Sequence, residues 1–249
     1  MRQLVRRGSD SEAIDLLYGR LEPGETLEAG GDDEVVAVVL EGAVAARAGD
    51  AELGRTPPRS DPFREPGYAA YAPPGAPLRL VAGSEGAVVA VTSAAPGEDE
   101  PGPARLIGPD EQRVATVGEG NWRRSVRTIV GPDDRASRLL VGETLNPPGN
   151  WSSYPPHKHD EHTPPEEVRL EEVYLFRVDP AGGFGVQMLY GNSDERTFRV
   201  GDGDVAVIRS GYHPVVAAPG YDLYYLWVLA GESRQMAPRL DPQHAWVQE

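Results

Sequence analysis

Cysteine is absent from the 249 residues of this chain. Its absence excludes disulfide bonds, thiolate metal ligands and a cysteine nucleophile. Basic side chains are also in short supply, because 24 Lys and Arg stand against 39 Asp and Glu, which gives a formal net charge of −15. A nucleic acid or an anionic membrane surface is bound through a basic face that displaces counterions, so we expect neither as a partner.

Long apolar segments are missing as well. No run approaches the ~18–20 apolar residues that a spanning helix needs. The N-terminal stretch MRQLVRRGSDSEAIDLLYG carries basic residues without a continuous apolar segment, which predicts no signal peptide. Hydrophobic residues still make up 39% of the chain, enough for a core. These features predict a soluble cytoplasmic protein of one or two domains, with homo-oligomer formation left open.

Short apolar runs punctuated by Gly and Pro replace long amphipathic helices. Their β-branched and aromatic residues predict an all-β sandwich or barrel. The clearest runs read EVVAVVLEG, GAVVAVTS, LEEVYLFRV and DLYYLWVLAG. One segment, SDSEAIDLL at residues 9–17, has a helical pattern, and we expect a helix there. Residues 95–113 are polar and rich in Pro, Gly and acidic side chains, which indicates a surface connection between two β-barrels.

Histidines are few, yet three of the five fall at positions 157, 159 and 162. In a strand, residues i and i+2 share a face, so His157 and His159 can converge on one ion. The segment LEEVYLFRV then brings carboxylates to the start of a strand, and GDGDVAVIRSGYHP places His213 after a tight turn. Three imidazoles and one carboxylate predict a site for a divalent transition metal.

Lysine occurs once, at Lys158, while the other 23 basic residues are arginine. A composition that prefers arginine should use arginine wherever only charge is needed. Lysine differs because its compact ammonium can lose a proton when it is desolvated near a cation. Two interpretations follow: Lys158 transfers a proton or binds substrate, or it is a solvated charge on the back of the strand, as strand alternation favours.

The segment PPGNWSSYPPHKHD, residues 147–160, carries a specific likeness. Together with LEEVYLFRV, GFGVQMLY and the run from GDGDVAV to LYYLWVLAG, it closely resembles the 5-deoxy-glucuronate isomerase family of myo-inositol catabolism, a bicupin relative of 4-deoxy-L-threo-5-hexosulose-uronate ketol-isomerase. The segment DPFREPGYAAYAPPG of the first half is also similar to that family. The resemblance implies a double-stranded β-helix jelly roll in each half. Residues 1–105 would form a degenerate cupin without metal, and residues 106–249 the metal-binding cupin.

Carried over by position, the resemblance implies His157, His159, Glu172 and His213 as metal ligands. Glu171 competes with Glu172, because adjacent strand residues face opposite ways. Glu172 is preferred, since an acid immediately before the Val-Tyr pair matches the related ketol-isomerases. Zinc is the first expectation for the ion, and manganese, iron, nickel and cobalt also suit imidazole and carboxylate ligands.

Two positions depart from the pattern usual in cupins. The turn before the last histidine reads Arg209-Ser210-Gly211 where a Pro-Xaa-Gly is usual, and Trp227 stands where the late strand usually runs to an Asn. Neither is an implied ligand. We expect Trp227 to reshape the floor of the pocket.

The reaction implied by the resemblance converts 5-deoxy-D-glucuronate to 5-dehydro-2-deoxy-D-gluconate, an aldose–ketose shift through an enediol. Such a shift needs an electrophile at the carbonyl and hydroxyl oxygens and a proton-transfer group within hydrogen-bond reach. Lys158 and Tyr174 are the candidates for proton transfer, and Arg177 and Gln187 are the candidates for binding this small sugar acid. Two alternatives share the same ligand set: a cupin-type iron-dependent dioxygenase and a non-enzymatic sugar-binding cupin.

Overall fold

The computed structural model describes residues 1–191 and 195–248. Strands dominate this part of the chain, and its helical elements are three short 3-10 helices at Pro109–Glu111, Gly120–Trp122 and Ala245–Gln248. The predicted all-β class is therefore confirmed. Within the described residues, no helix has the length and apolar character needed to cross a membrane.

The helix predicted at residues 9–17 is wrong. That segment enters a strand at Ile14 and continues in it to Leu21. Ile14 and Leu16 are both fully buried and alternate with less buried neighbours, which is the period of a strand. The strand is paired on both edges, so tertiary pairing outweighs the local helical pattern.

The chain divides by its contacts into two compact units. The first unit comprises Met1–Arg113, Ile129–Val141 and Ala230–Arg234. Its strands are β1 (Arg2–Val5), β2 (Ile14–Leu21), β3 (Thr26–Ala29), β4 (Glu34–Ala48), β5 (Ala51–Arg55), β6 (Ala69–Ala72), β7 (Leu78–Ala94) and β8 (Arg105–Ile107). They form one eight-stranded sheet in the order β1-β2-β7-β4-β6-β8, with β3 added to β7 and β5 to β4.

The core of the first unit lies between the long strands β4 and β7. These two strands pair antiparallel over most of their length. Val35, Ala37 and Val39 of β4 alternate along the strand and are buried in one apolar cluster with Val89 and Val91 of β7. Alternation at period two places these side chains on a single face, so the apolar run of β4 supplies one wall of the core.

A buried carboxylate holds a later segment in the first unit. Glu34 is fully buried and accepts a hydrogen bond from the Tyr71 hydroxyl at 2.8 Å. It also accepts bonds from the backbone N–H groups of Ser137, Arg138 (2.8 Å) and Leu139 (2.7 Å). The sequence places the domain boundary between residues 105 and 106, whereas the contacts extend the first unit to Arg113 and add two later segments.

The second unit comprises Val114–Thr128, Gly142–Leu229 and Gln235–Glu249. The remaining strands are β9 (Arg113–Val117), β10 (Arg124–Val130), β11 (Leu140–Asn146), β12 (Trp151–Ser152), β13 (His157–Lys158), β14 (Leu170–Asp179), β15 (Gly185–Leu189), β16 (Arg196–Val200), β17 (Val205–Ile208), β18 (Val215–Ala217), β19 (Asp222–Gly231) and β20 (Arg239–Leu240). They form a six-stranded sheet in the order β17-β14-β19-β11-β10-β9, a four-stranded sheet in the order β12-β18-β15-β16, and the β13-β20 pair.

Candidate metal centre

Four side chains of the second unit converge from three places in the chain. His157 lies on the two-residue strand β13, which pairs with β20, and His159 follows directly after it. Glu172 lies near the start of β14, opposite Ile208 of β17. His213 lies between β17 and β18, so the strand pairing of β14 and β17 brings the turn before His213 close to Glu172.

Three of these side chains form a compact cluster. The Nε2 atoms of His159 and of His213 each lie 3.2 Å from Oε2 of Glu172. One potential ligand atom from each of the three residues falls within 4.8 Å of the others, and all three residues are buried. The ring centroid of His157 lies 4.9 Å from that of His213 and 6.4 Å from that of His159, which places it beside the cluster.

Backbone carbonyls fix which nitrogen of each imidazole faces the cluster. Nδ1 of His159 lies 2.6 Å from the Leu170 oxygen, and Nδ1 of His213 lies 3.1 Å from the Gly211 oxygen. The same pattern holds for His157, whose Nδ1 lies 3.2 Å from the Pro155 oxygen. Because a carbonyl oxygen accepts only from an N–H, Nε2 is the nitrogen that offers a lone pair to a metal when each imidazole is neutral.

The protonation states also suit a cation. Burial opposes ionisation of Glu172, but the neighbouring imidazoles of His159 and His213 outweigh it and lower the pKa of the carboxyl to about 2. Burial lowers the pKa of His157 to about 3, and the neighbouring His213 and His159 add to the shift. Near neutral pH, Glu172 is therefore a carboxylate and His157 a neutral imidazole, the forms in which these groups bind metals.

An unsatisfied atom tests whether these residues fit a metal. Nε2 of His213 is buried and has no hydrogen-bond partner, although buried polar atoms are nearly always satisfied. A metal at the cluster would satisfy it. Glu171, the competing acid, lies elsewhere, with Oε1 3.8 Å from Nε of Arg209.

The cluster opens onto a cavity of about 130 Å³. Its lining is mainly apolar and aromatic, with a few polar groups, as is usual for a small-molecule site. The lining residues are Arg124, Val126, Thr144, Ser153, His157, His159, Leu170, Glu172, Tyr174, Tyr225, Trp227, Leu229, Met236, Ala237 and Pro238. Trp227 thus reaches the wall of this cavity.

Tyr174 is buried beside the cluster. Its hydroxyl lies 2.8 Å from Oγ of Ser153, and both residues line the cavity. Burial raises the pKa of Tyr174 well above its usual value, and the nearby Glu172 carboxylate adds to the shift. The phenol therefore stays protonated at neutral pH and can donate a hydrogen bond to a bound molecule.

Ser153 carries the only positive φ among the non-glycine residues that the structure describes, at 50°. A backbone conformation with positive φ costs an L-residue about 1–3 kcal/mol and often occurs at functional sites. Here it places the Ser153 hydroxyl against Tyr174.

Lys158 lies away from the cavity lining. Its ammonium donates hydrogen bonds to Asp160, to Glu161 at 3.0 Å and to Glu167 at 3.3 Å. Desolvation opposes the charge, but these carboxylates outweigh it and raise the pKa of Lys158 above its usual value. The side chain is therefore a fixed cation, and it is not positioned to take a proton from a molecule in the cavity.

The two residues predicted to bind substrate also lie outside the cavity lining. Nε of Arg177 donates to Oδ1 of Asp202 at 2.7 Å. Gln187 is fully buried, and its amide donates to the carbonyl oxygens of His213 (2.7 Å) and Pro214 (3.2 Å). Gln187 thus holds the backbone on which His213 is carried, rather than reaching the cavity.

Sequence reasoning missed four polar residues of the cavity, namely Arg124, Thr144, Ser153 and Tyr225. Arg124 is one of 23 arginines, and nothing in the local pattern GNWRRSVR separates it from Arg123. Ser153 lies within the histidine-bearing segment, so its place in that segment was an available signal. Tyr225 sits in an apolar strand, and its pattern indicates only burial.

Comparison with known proteins gives a consistent family. The sequence model of the KduI/IolB family matches residues 4–247. A protein of Geobacillus thermodenitrificans named 5-deoxy-glucuronate isomerase is 49% identical over 149 residues, which cover 59% of this chain and 54% of that protein. The match therefore spans about half the length of that relative. A protein of the same name from Bacillus licheniformis is 33% identical over 252 residues, covering 99% of this chain and 92% of the relative.

Solved structures show a similar fold. The crystal structure of an IolB-like protein from Salmonella typhimurium superposes with a TM-score of 0.92 at 31% identity, covering 100% of this chain and 95% of the other. Oxalate decarboxylase from Lactobacillus farciminis superposes with a TM-score of 0.64 at 14% identity, covering 92% and 79% of the two chains. The second likeness concerns the fold alone. With the all-β architecture, these similarities confirm the predicted bicupin class.

Proposed function

Because this chain belongs to the KduI/IolB family, we propose that it is a metal-dependent aldose–ketose isomerase that converts 5-deoxy-D-glucuronate to 5-dehydro-2-deoxy-D-gluconate. The observation that carries the proposal is the buried His159–Glu172–His213 cluster at the wall of a small cavity. It occurs in a chain that is one-third identical, over nearly its full length, to a protein named 5-deoxy-glucuronate isomerase.

The residues that would hold the ion are His159, Glu172 and His213, with His157 beside them as the fourth ligand. A divalent ion bound there supplies Lewis-acid polarisation of the substrate carbonyl and hydroxyl oxygens. Zinc is proposed first, and manganese, iron, nickel and cobalt fit the same imidazole and carboxylate donors.

Proton transfer between the two substrate oxygens is assigned to Tyr174 rather than to Lys158. In the isomerisation, a base takes the proton from the carbon beside the aldehyde, an enediol forms, and the base returns a proton to the former aldehyde carbon. Among the described residues that line the cavity, the Glu172 carboxylate can act as this base. The hydroxyl proton moves from one oxygen to the other at the same time. Tyr174 is a protonated phenol in the cavity, so it can donate to one of these oxygens and regain a proton from the other. Lys158 is held outside the cavity by its carboxylate partners.

The apolar wall of the cavity has its own role. Val126, Leu170, Trp227 and Leu229 line the same space as the cluster. They limit the entry of water, which strengthens the polar interactions inside and protects an enediol from side reactions. The proposed partner is the small sugar acid on which the isomerase would act, held in this space.

An assay with metal-loaded protein tests the proposal. The protein is incubated with 5-deoxy-D-glucuronate in D₂O, and NMR follows formation of the ketose and deuterium uptake at its terminal carbon. We expect turnover with about one metal per chain and the same rate with and without O₂. Turnover that requires O₂ would instead support an iron-dependent dioxygenase. Binding without turnover under any of the five metals would support a sugar-binding cupin.

Tyr174→Phe tests the proton-transfer assignment. Loss of a general acid–base group typically lowers the rate ~10²–10⁴-fold. We expect kcat to fall by that order while metal content stays unchanged, because the phenol is not a ligand. Unchanged kcat in Tyr174→Phe would move proton transfer to another group of the cavity.

A further inference from the structure

Arg124 is a buried cation in the cavity wall. It begins β10, is only 9% exposed and lines the same cavity as the metal cluster. Its Nη1 donates to the carbonyl oxygens of Trp122 (3.2 Å) and Tyr154 (3.0 Å), and its guanidinium carbon lies 5.9 Å from the centre of the Trp122 ring. Within the described residues, these contacts include no carboxylate.

Two other buried arginines show how such a charge is normally satisfied. Arg59 donates from Nε, Nη1 and Nη2 to the carbonyl oxygens of Val39 and Glu65. Arg234 likewise donates from all three nitrogens to backbone carbonyls. In the described part of the chain, Arg124 forms its hydrogen bonds through Nη1 alone. The guanidinium of Arg124 therefore uses fewer of its nitrogens in hydrogen bonds than the guanidinium groups of Arg59 and Arg234 do.

Burial without a counter-charge is unfavourable for a cation. Burial lowers the pKa of Arg124, while Tyr225 and Tyr174 oppose the shift. An arginine does not lose its proton in the accessible range, so the charge remains and calls for an anion. Arg124 is also the one Lys or Arg among the described residues that line this cavity.

We propose that Arg124 is the carboxylate-binding residue of the site, and that it makes the enzyme specific for sugar acids. The guanidinium presents donors in a planar fork that matches a carboxylate. An anionic substrate also has to enter a cavity that contains the Glu172 carboxylate, in a chain of net charge −15. A cation in the wall offsets that repulsion. The metal cluster then receives the carbonyl end of the substrate and Arg124 its carboxylate end.

This specificity rests on the proposed isomerase function, but binding of a carboxylate by Arg124 is testable without it. The probe is glutarate, a five-carbon dicarboxylate, and 1,5-pentanediol is its neutral counterpart. Calorimetric titration of the metal-loaded protein should show saturable binding of glutarate and none of the diol. We expect Arg124→Met to weaken glutarate binding by about 10–100-fold, because it removes charge-assisted hydrogen bonds while keeping an unbranched side chain.

Arg123→Met is the matched control, since Arg123 is the exposed neighbour in sequence. It should bind glutarate as the wild type does. If Arg124→Met fails to fold, Arg124→Gln keeps a donor for the two carbonyls and tests the same loss of charge. Equal glutarate binding in the wild type and in the folded Arg124 variant, or none in the wild type, would overturn the proposal.

Turnover measurements then distinguish carboxylate binding by Arg124 from the proposed isomerase function. With 5-deoxy-D-glucuronate, Arg124→Met should lower kcat/KM by at least ~10-fold with metal content unchanged. With the neutral aldose that has a CH₂OH group in place of the carboxylate, wild type and variant should show the same low kcat/KM. Arg124-dependent glutarate binding in a protein without isomerase activity would support the carboxylate site and reject the proposed function. Equal kcat/KM of wild type and variant on the acid would reject specificity through Arg124.

Discussion

At the scale of single residues, His213 has the most constrained place in the candidate metal centre. It is fully buried, its ring lies 4.9 Å and 5.0 Å from those of His157 and His159, and its Nε2 has no hydrogen-bond partner. We expect His213→Ala to weaken metal binding by more than the ~10–100-fold that loss of a supporting group costs, and to abolish turnover. Cooperative unfolding should survive, since the apolar cores do not depend on this imidazole.

Metal content by elemental analysis and thermal unfolding check this prediction. His244→Ala is the control, because that side chain is 43% exposed, and it should change neither metal content nor activity. If His213→Ala instead loses its cooperative transition, the metal is needed for folding rather than for chemistry alone.

Lys158 is linked through its carboxylate partner Asp160 to the backbone near His213. Asp160, which binds Lys158, also accepts a hydrogen bond from the Gly211 N–H at 2.7 Å, next to the turn that carries His213. Lys158→Arg keeps the charge in this group, so we expect kcat to change by less than ~10-fold. Lys158→Met leaves the buried Glu167 with fewer partners and should cost about 1–3 kcal/mol of stability.

Urea unfolding of the two Lys158 variants, together with kcat at full metal occupancy, distinguishes these outcomes. A ~100-fold lower kcat in Lys158→Arg at unchanged stability and metal content would restore the interpretation of Lys158 as a proton-transfer group.

At the scale of elements, the contact between β11 and β19 depends on a glycine. A Cβ at Gly142 would lie 2.1 Å from Cζ2 of Trp227 and 2.5 Å from the Arg127 carbonyl oxygen. Gly142→Ala must therefore displace the Trp227 ring, which lines the cavity. We expect at least ~10-fold lower kcat/KM and a shift in tryptophan fluorescence, with metal content retained. Gly201→Ala is the comparison in which the fluorescence should not move, because a Cβ there would meet no atom closer than Oδ2 of Asp204 at 3.5 Å.

The strands show how far sequence reasoning reaches. β4, β14 and β19 follow from apolar runs with β-branched and aromatic residues, because burial on a sheet selects those side chains. Residues 9–17 mislead because their helical spacing is local, whereas pairing of β2 with two neighbours is not. Residues 95–113 look like a connection, yet β8 within them pairs with β6, since a short edge strand leaves little pattern.

The candidate site likewise contains residues that the sequence pattern predicts and residues that only the structure identifies. The spacing of His157 and His159 predicts a shared face, and the acidic start of β14 predicts a nearby carboxylate, because both are properties of a strand. The place of Arg124 depends instead on which strands meet across the second unit. Lys158 is the one lysine of the sequence, but only the structure shows that its ammonium binds three carboxylates. Composition identifies an unusual residue without showing which side chains it contacts.

At the scale of the whole molecule, buried tyrosines predict a stability loss in alkali. Burial is the largest cause of the raised pKa values of Tyr71, Tyr174 and Tyr225, and the Glu34 carboxylate adds to the shift of Tyr71. A folded-state pKa above the unfolded value of ~10 gives stability that is fully present below pH ~10 and is lost as pH rises above it. Each such group contributes a slope of up to about 1.4 kcal/mol per pH unit.

Urea unfolding between pH 8 and pH 11 measures this loss of stability. The Tyr71→Phe variant shows how much of the loss comes from Tyr71. The variant should be less stable at pH 8, because the hydrogen bond to Glu34 is gone. Its deficit should shrink as pH rises, because Phe has no proton to lose. A deficit that stays constant up to pH 11 would show that Tyr71 does not contribute to the alkaline transition.

The solitary lysine also gives the molecule an unusual reactivity towards amine reagents. Lys158 is the one lysine side chain in 249 residues, its side chain is only 11% exposed, and its ammonium is held protonated by its carboxylate partners. An amine reacts with an acylating reagent only in its neutral form, because the ammonium has no lone pair, so the folded protein should resist labelling at this position. Each opening of the segment around the candidate metal centre would briefly expose the amine. The rate of Lys158 acylation, measured by mass spectrometry, would therefore report how often the segment that carries the proposed metal ligands opens.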